Sequence, residues 1–147
     1  MRYTLYFAYG SNMNEQQLKE RCPSSFFLCR AKLPGYRFVI TSRGFASVLK
    51  NEESVVHGLL CALTESDETV LDRREGVYRS IYRREWLPVI TELGYSMPAL
   101  VYVENTEAEG TPQDGYLEKI LEGARHHGLP QNALSEIEAW SKTKKEE

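Results

Sequence analysis

Two short segments of this chain carry residue types and spacings that can do chemistry. In Tyr9-Gly10-Ser11-Asn12-Met13-Asn14, an aromatic strand-like run ends at a glycine and a polar, helix-forming stretch begins. Glycine at such a junction permits close backbone approach or a positive φ. The free N–H groups of the helix start then point outward together, which suits an anion or a developing oxyanion. Ser11 and Asn12 add side-chain donors. An ordinary turn with a helix cap uses the same residues. The stretch is not a phosphate loop, because it lacks the second glycine and the Lys-Ser/Thr pair.

The second segment is Asp72-Arg73-Arg74-Glu75-Gly76-Val77-Tyr78-Arg79-Ser80-Ile81-Tyr82. Glu75 falls at the end of a helical stretch that Gly76 terminates as the C′ residue. The helix dipole disfavours a negative charge there, and burial would raise the carboxyl pKa further. A glutamate tuned upward is what a proton shuttle at neutral pH requires. The adjacent arginines push the other way, and a surface glutamate paired with Arg79 or Arg83 is the simpler alternative. Among the nine tyrosines, Tyr82, Tyr102 and Tyr116 either line a pocket or pack in the core. Tyr6, Tyr36 and Tyr95 read as core or turn residues. His126 and His127 sit beside the helix-ending Gly128, and His57 reads as a satisfied core residue.

The elements that must position these groups follow from patterning. Residues 3–8 read as a strand and 14–21 as a helix with Asn12 or Asn14 at its N-cap. Strands are expected at 26–33, 36–41 and 46–49, separated by Pro34-Gly35 and Ser42-Arg43-Gly44, and a buried strand at 55–63. Thr64 caps a short helix, with acids in its first turn. Strands at 78–90 and 98–103, an acidic loop at 104–112, a helix at 113–127 and a last helix from Pro130 to Trp140 complete the pattern. The charged tail 141–147 is expected to fray. Most strands are sequence neighbours, so the expectation is an α+β fold, a mixed sheet curling toward a barrel with helices outside.

The whole chain reads as a single domain, residues 1–147. The formal charge is −3, from 18 basic and 21 acidic residues, which argues against nucleic acid as a partner. No apolar run approaches the roughly 20 residues of a membrane span. Cys22, Cys29 and Cys61 lack metal-ligand spacing and read as reduced thiols of a cytoplasmic protein.

Taken together, Tyr6-Phe7-Ala8-Tyr9-Gly10-Ser11-Asn12, the stretch from Leu71-Asp72 to Glu75-Gly76-Val77 with Tyr82 following, and Gly123-Ala124 with Gly128-Leu129-Pro130 resemble the gamma-glutamylcyclotransferase family. The resemblance spans most of the chain. It implies a small mixed five- or six-stranded β-barrel with flanking helices. It also implies cyclisation of a γ-glutamyl amide or peptide to 5-oxoproline with release of the free amine, and no cofactor or metal. Glu75 is then the catalytic residue, and Tyr9, Gly10, Ser11, Asn12, Met13, Tyr82 and Tyr116 are the substrate contacts. The partner implied is a small γ-glutamyl molecule, bound by a monomer or homodimer. One departure stands out. Many family members have glycine two residues before the tyrosine of the strand after the glutamate, and here that position is Ser80. The amine half could be an amino acid, a cysteinyl peptide, a lysine amine or an antibiotic intermediate, its contacts expected on variable loops such as 104–112. A non-catalytic small-metabolite binding module is the reading from another class.

Overall fold

The computed structural model describes residues 2–143. Five strands, β1 (Thr4–Ala8), β2 (Phe26–Ile40), β3 (Ala46–Leu63), β4 (Tyr82–Thr91) and β5 (Ser96–Glu104), close into a barrel in the order β1-β3-β2-β4-β5. The β1–β5 seam is parallel, through Tyr6 and Leu100, and every other pairing is antiparallel. Four helices flank it: α1 (Glu15–Arg21), α2 (Glu65–Arg74), α3 (Tyr116–His126) and α4 (Gln131–Thr143). No helix among the described residues is long and apolar enough to cross a membrane.

The barrel interior is filled from all strands, with Phe7, Leu33, Ile40, Leu60 and Leu100 almost wholly shielded from solvent. Burying each such side chain contributes roughly 1.5–3 kcal/mol. The seven strands expected from patterning become five, because the four short ones at 26–33, 36–41, 46–49 and 55–63 are two long ones. Pro34-Gly35 does not reverse the chain. The register against β3 jumps there, from Pro34 opposite Val55 to Tyr36 opposite Lys50. Proline has no N–H to lose from a ladder that is already interrupted, and Gly35 takes the positive φ (82°) of a bulge.

The segment expected as a strand from residue 78 starts later, at Tyr82. Val77–Arg79 is a single 3-10 turn, bracketed by Gly76 (φ 67°) and Ser80 (φ 57°), both left-handed. Alternating charge resembled a strand, but two left-handed residues four apart reverse the chain from α2 into β4. Glu104 does not open a loop: it ends β5 and is 1 % exposed. His57, read as core, is only half-buried in β3. Tyr95 lies in the exposed turn between β4 and β5. Of the expected tail, residues 141–143 continue α4 and the remainder lies outside the described residues.

Helix α3 carries the next step toward the site. Leu117, Ile120, Leu121 and Ala124 form its buried stripe. Gly123 sits on the same face because a Cβ there would come within 2.4 Å of the Met13 carbonyl. The helix therefore presses directly on the backbone of the turn that follows β1.

Candidate active site

That turn is a short 3-10 helix, Ser11–Met13, continued by α1 with Asn14 as its N-cap, whose side chain accepts from the Gln17 N–H at 3.2 Å. Gly10 is needed for space, not for a positive φ (−115°): a Cβ would meet Ala46 Cβ at 3.3 Å and the Tyr116 hydroxyl at 3.4 Å. Among the described residues, the N–H groups of Ser11 and Asn12 have no acceptor, as expected for the first donors of a helical turn. The Asn12 side chain is not a free donor as read from sequence. Its Nδ2 donates to the Tyr6 hydroxyl at 2.9 Å, and its Oδ1 accepts from Arg21 Nη1 at 2.9 Å and Gln17 Nε2 at 3.1 Å. It fixes the loop. Ser11 Oγ accepts from Gln17 Nε2 at 2.6 Å and also interacts with the Tyr116 hydroxyl.

Ala46, at the start of β3, holds two tyrosines by its own peptide groups. Its N–H donates to the Tyr116 hydroxyl at 3.0 Å, and its carbonyl accepts from the Tyr82 hydroxyl at 2.7 Å. The two hydroxyls are thereby made unlike. Tyr116 keeps its proton to donate, whereas Tyr82 has spent its proton and offers lone pairs. Burial raises both pKa values, that of Tyr116 to about 12, so both stay neutral. Tyr9 donates to the Tyr102 carbonyl at 2.6 Å, and Tyr102 donates to Asp72 Oδ1 at 2.6 Å.

Glu75 is the C-cap of α2. It is half-buried, and its carboxylate accepts no hydrogen bond from a described residue. Arg79 and Arg83 do not pair with it; Arg83 bonds Glu85 instead. Burial raises its pKa from 4.5 to about 7. Arg21 and Arg43 lower it and Glu104 raises it, all three distant in sequence. Glu104 is itself buried, accepting from Thr41 Oγ1 at 2.7 Å and Arg43 Nη1 at 3.3 Å.

These groups line a cleft of about 480 Å³ that narrows into a recess of about 40 Å³. Tyr6, Tyr9, Gly10, Ser11, Asn12, Ala46, Glu75, Tyr82, Tyr102 and Tyr116 surround the recess. Ser11, Glu75, Tyr82 and Tyr116 border both spaces. The recess has room for about three waters, or for the polar end of a small molecule. Of the residues picked out in sequence, Met13 is the one placed elsewhere. Its side chain is wholly buried and lines neither space, because Gly123 packs on its backbone and turns it into the core. Arg21, Arg43, Ala46 and Glu104 were not picked out. Nothing in the local sequence marks them, since their roles arise from strand and helix packing. The histidines stand apart: His126 pairs with Glu15 at 3.1 Å and His127 packs on Phe27.

The comparison with known proteins decides the family. The family model for "Gamma-glutamyl cyclotransferase, AIG2-like" matches residues 6–123. The chain belongs to this family. The human gamma-glutamylcyclotransferase is 30% identical over 145 residues, 92% of this chain and 77% of the relative. The mouse gamma-glutamylcyclotransferase is 28% identical over the same shares. A solved gamma-glutamyl cyclotransferase superposes with a TM-score of 0.88 at 26% identity, covering 95% of this chain and 88% of that one. The protein is an enzyme of the gamma-glutamylcyclotransferase type, and its mixed five-stranded barrel with flanking helices is the fold of these relatives.

Proposed function

We propose that the enzyme cyclises a γ-glutamyl amide to 5-oxoproline and releases the amine, with Glu75 as the group that moves the proton. The observation that carries this reading is the Glu75 carboxyl, raised to about 7 and without a hydrogen bond to any described residue, at the join of recess and cleft. The substrate supplies its own nucleophile. Its α-amine curls back on the γ-carbonyl and closes a five-membered ring, so fixing that conformer replaces an attacking side chain. The ammonium form cannot attack. Glu75 as carboxylate accepts one ammonium proton, and the amine nitrogen bonds to the γ-carbonyl carbon. The C–N bond to the leaving amine then breaks as Glu75 returns the proton to that nitrogen, and the second proton of the ring nitrogen passes through the regenerated carboxylate to the freed amine, which departs as an ammonium. Atoms balance without water.

The recess fits the charges of that path. The Tyr116 hydroxyl donates to a substrate oxygen, and the Tyr82 oxygen accepts from the α-ammonium. The unpaired N–H groups of Ser11 and Asn12 stabilise the carboxylate or the developing oxyanion. Three unpaired cysteines, two of them buried, support placement in a reducing compartment such as the cytoplasm. The test is incubation with a γ-glutamyl dipeptide and mass detection of products. 5-Oxoproline and free amino acid in equal amounts support the proposal. Glutamate in place of 5-oxoproline points to hydrolysis, and unchanged ligand points to a binding module.

A further inference from the structure

The outer cleft has a charge that the rest of the molecule does not share. The chain carries a net −3, yet the cleft is lined by Arg21, Arg43, Arg74, Arg79 and Lys119 against only Glu75 and Asp114. Of the five cations, Arg43 alone forms an ion pair with a described residue, Glu104. Arg21 and Lys119 are held by the neutral Asn12 and Gln17 at 2.9 Å and 3.4 Å. Arg74 and Arg79 are exposed and make neither an ion pair nor a side-chain hydrogen bond with any described residue. Elsewhere, arginines such as Arg30, Arg37, Arg83 and Arg84 are matched by carboxylates. Unmatched cations gathered in one concavity focus a positive potential and recruit an anion.

The geometry points to a leaving half that carries two carboxylates, so that the enzyme prefers γ-glutamyl conjugates of acidic amino acids over those of neutral amino acids, and both over γ-glutamyl conjugates of simple amines. This inference rests on the proposed reaction, because it takes the recess to hold the glutamyl end. The recess is too small for a whole substrate, so the leaving half must lie in the cleft. There, Arg74 on α2, Arg79 in the turn after it and Lys119 on α3 line the cleft from three separate elements. A single α-carboxylate meets one of these cations; a second carboxylate gives another of them a partner. The acidic loop at 104–112, expected from sequence to choose the leaving group, contributes nothing to this cleft.

The experiment uses the intact protein and three substrates, γ-glutamyl-glutamate, γ-glutamyl-alanine and γ-glutamyl-propylamine, with 5-oxoproline as readout. The expected order of kcat/KM is as given, with at least about a tenfold step between the first and last at low salt. Raising ionic strength toward 0.5 M, roughly a 4–5 Å Debye length, should narrow the spread. The Arg74→Glu/Arg79→Glu double variant should cut the first-to-last ratio at least about tenfold, through KM rather than kcat. The single Arg79→Gln should show a smaller change of the same sign. Equal kcat/KM for all three substrates, or a spread insensitive to salt and to both variants, overturns the inference while leaving the reaction intact. No 5-oxoproline from any substrate overturns the reaction itself, and the inference with it.

Discussion

Glu75→Gln should lower activity and raise stability, and both changes should be larger above neutrality than below it. The substitution keeps the shape of the side chain and removes its charge. In the folded protein burial holds the carboxyl near 7, against 4.5 for an ordinary glutamate. Between those values the native state binds more protons than the unfolded chain, so native stability falls as pH rises through this interval. The displacement corresponds to about 3 kcal/mol at full ionisation. Below about pH 4.5 the group is protonated in both states and this cost is absent. Urea melts should therefore show the Gln variant more stable than wild type by up to about 3 kcal/mol at pH 8, and equal to it near pH 4. Release of 5-oxoproline should fall by about 10²–10⁴, the usual worth of a positioned acid–base group. A Gln variant with more than about a tenth of wild-type turnover would remove Glu75 from the proton path. A stability difference that is the same at both pH values would show that burial does not raise this carboxyl.

Ser80→Gly should stabilise the protein by up to about 1 kcal/mol in the same melts, because Ser80 is the one non-glycine described residue with a positive φ. A loss of stability would mean that the Ser80 side chain contributes more than its backbone costs. Gly123→Ala should destabilise by about 1–3 kcal/mol and raise KM, since the new methyl must displace the Met13 backbone and the loop above it. Unchanged KM would show that α3 does not set the loop position. Tyr116→Phe should lower kcat/KM by about tenfold to a hundredfold and cost about 1–3 kcal/mol of stability, since it strands the buried Ala46 N–H. Normal kinetics in a stable variant would remove Tyr116 from the recess chemistry.

Local signals in the sequence located the helices and most of the barrel. Thr64 and Gly76 mark the ends of α2 by cap chemistry, and the spacing of Ile120, Leu121 and Ala124 marks the buried face of α3. The β2–β3 ribbon was misread because a Pro-Gly pair signals a turn and a bulge alike; only the partner strand, whose register it shifts, tells them apart. The loop at Gly10 to Asn12 and the helix end at Glu75 were legible as separate features. Their meeting is implied only by the family resemblance and not by local pattern, because it depends on closure of the barrel. Arg21, Arg43 and Glu104, which set the electrostatics around Glu75, come from a helix, a turn and a strand end with no shared motif. Asn12 shows the limit in the other direction. Its residue type advertised a donor to substrate, and packing gave that donor to Tyr6.

The most direct test of the account is the pH dependence of kcat/KM for 5-oxoproline release from a γ-glutamyl dipeptide. A carboxyl near 7 that must be ionised to accept the ammonium proton is about 10% active at pH 6 and about 90% at pH 8. The account therefore expects an acid limb with its midpoint near 7 in the wild type and its loss in Glu75→Gln. A limb centred near 4.5, or one near 7 that survives in the Gln variant, would contradict it.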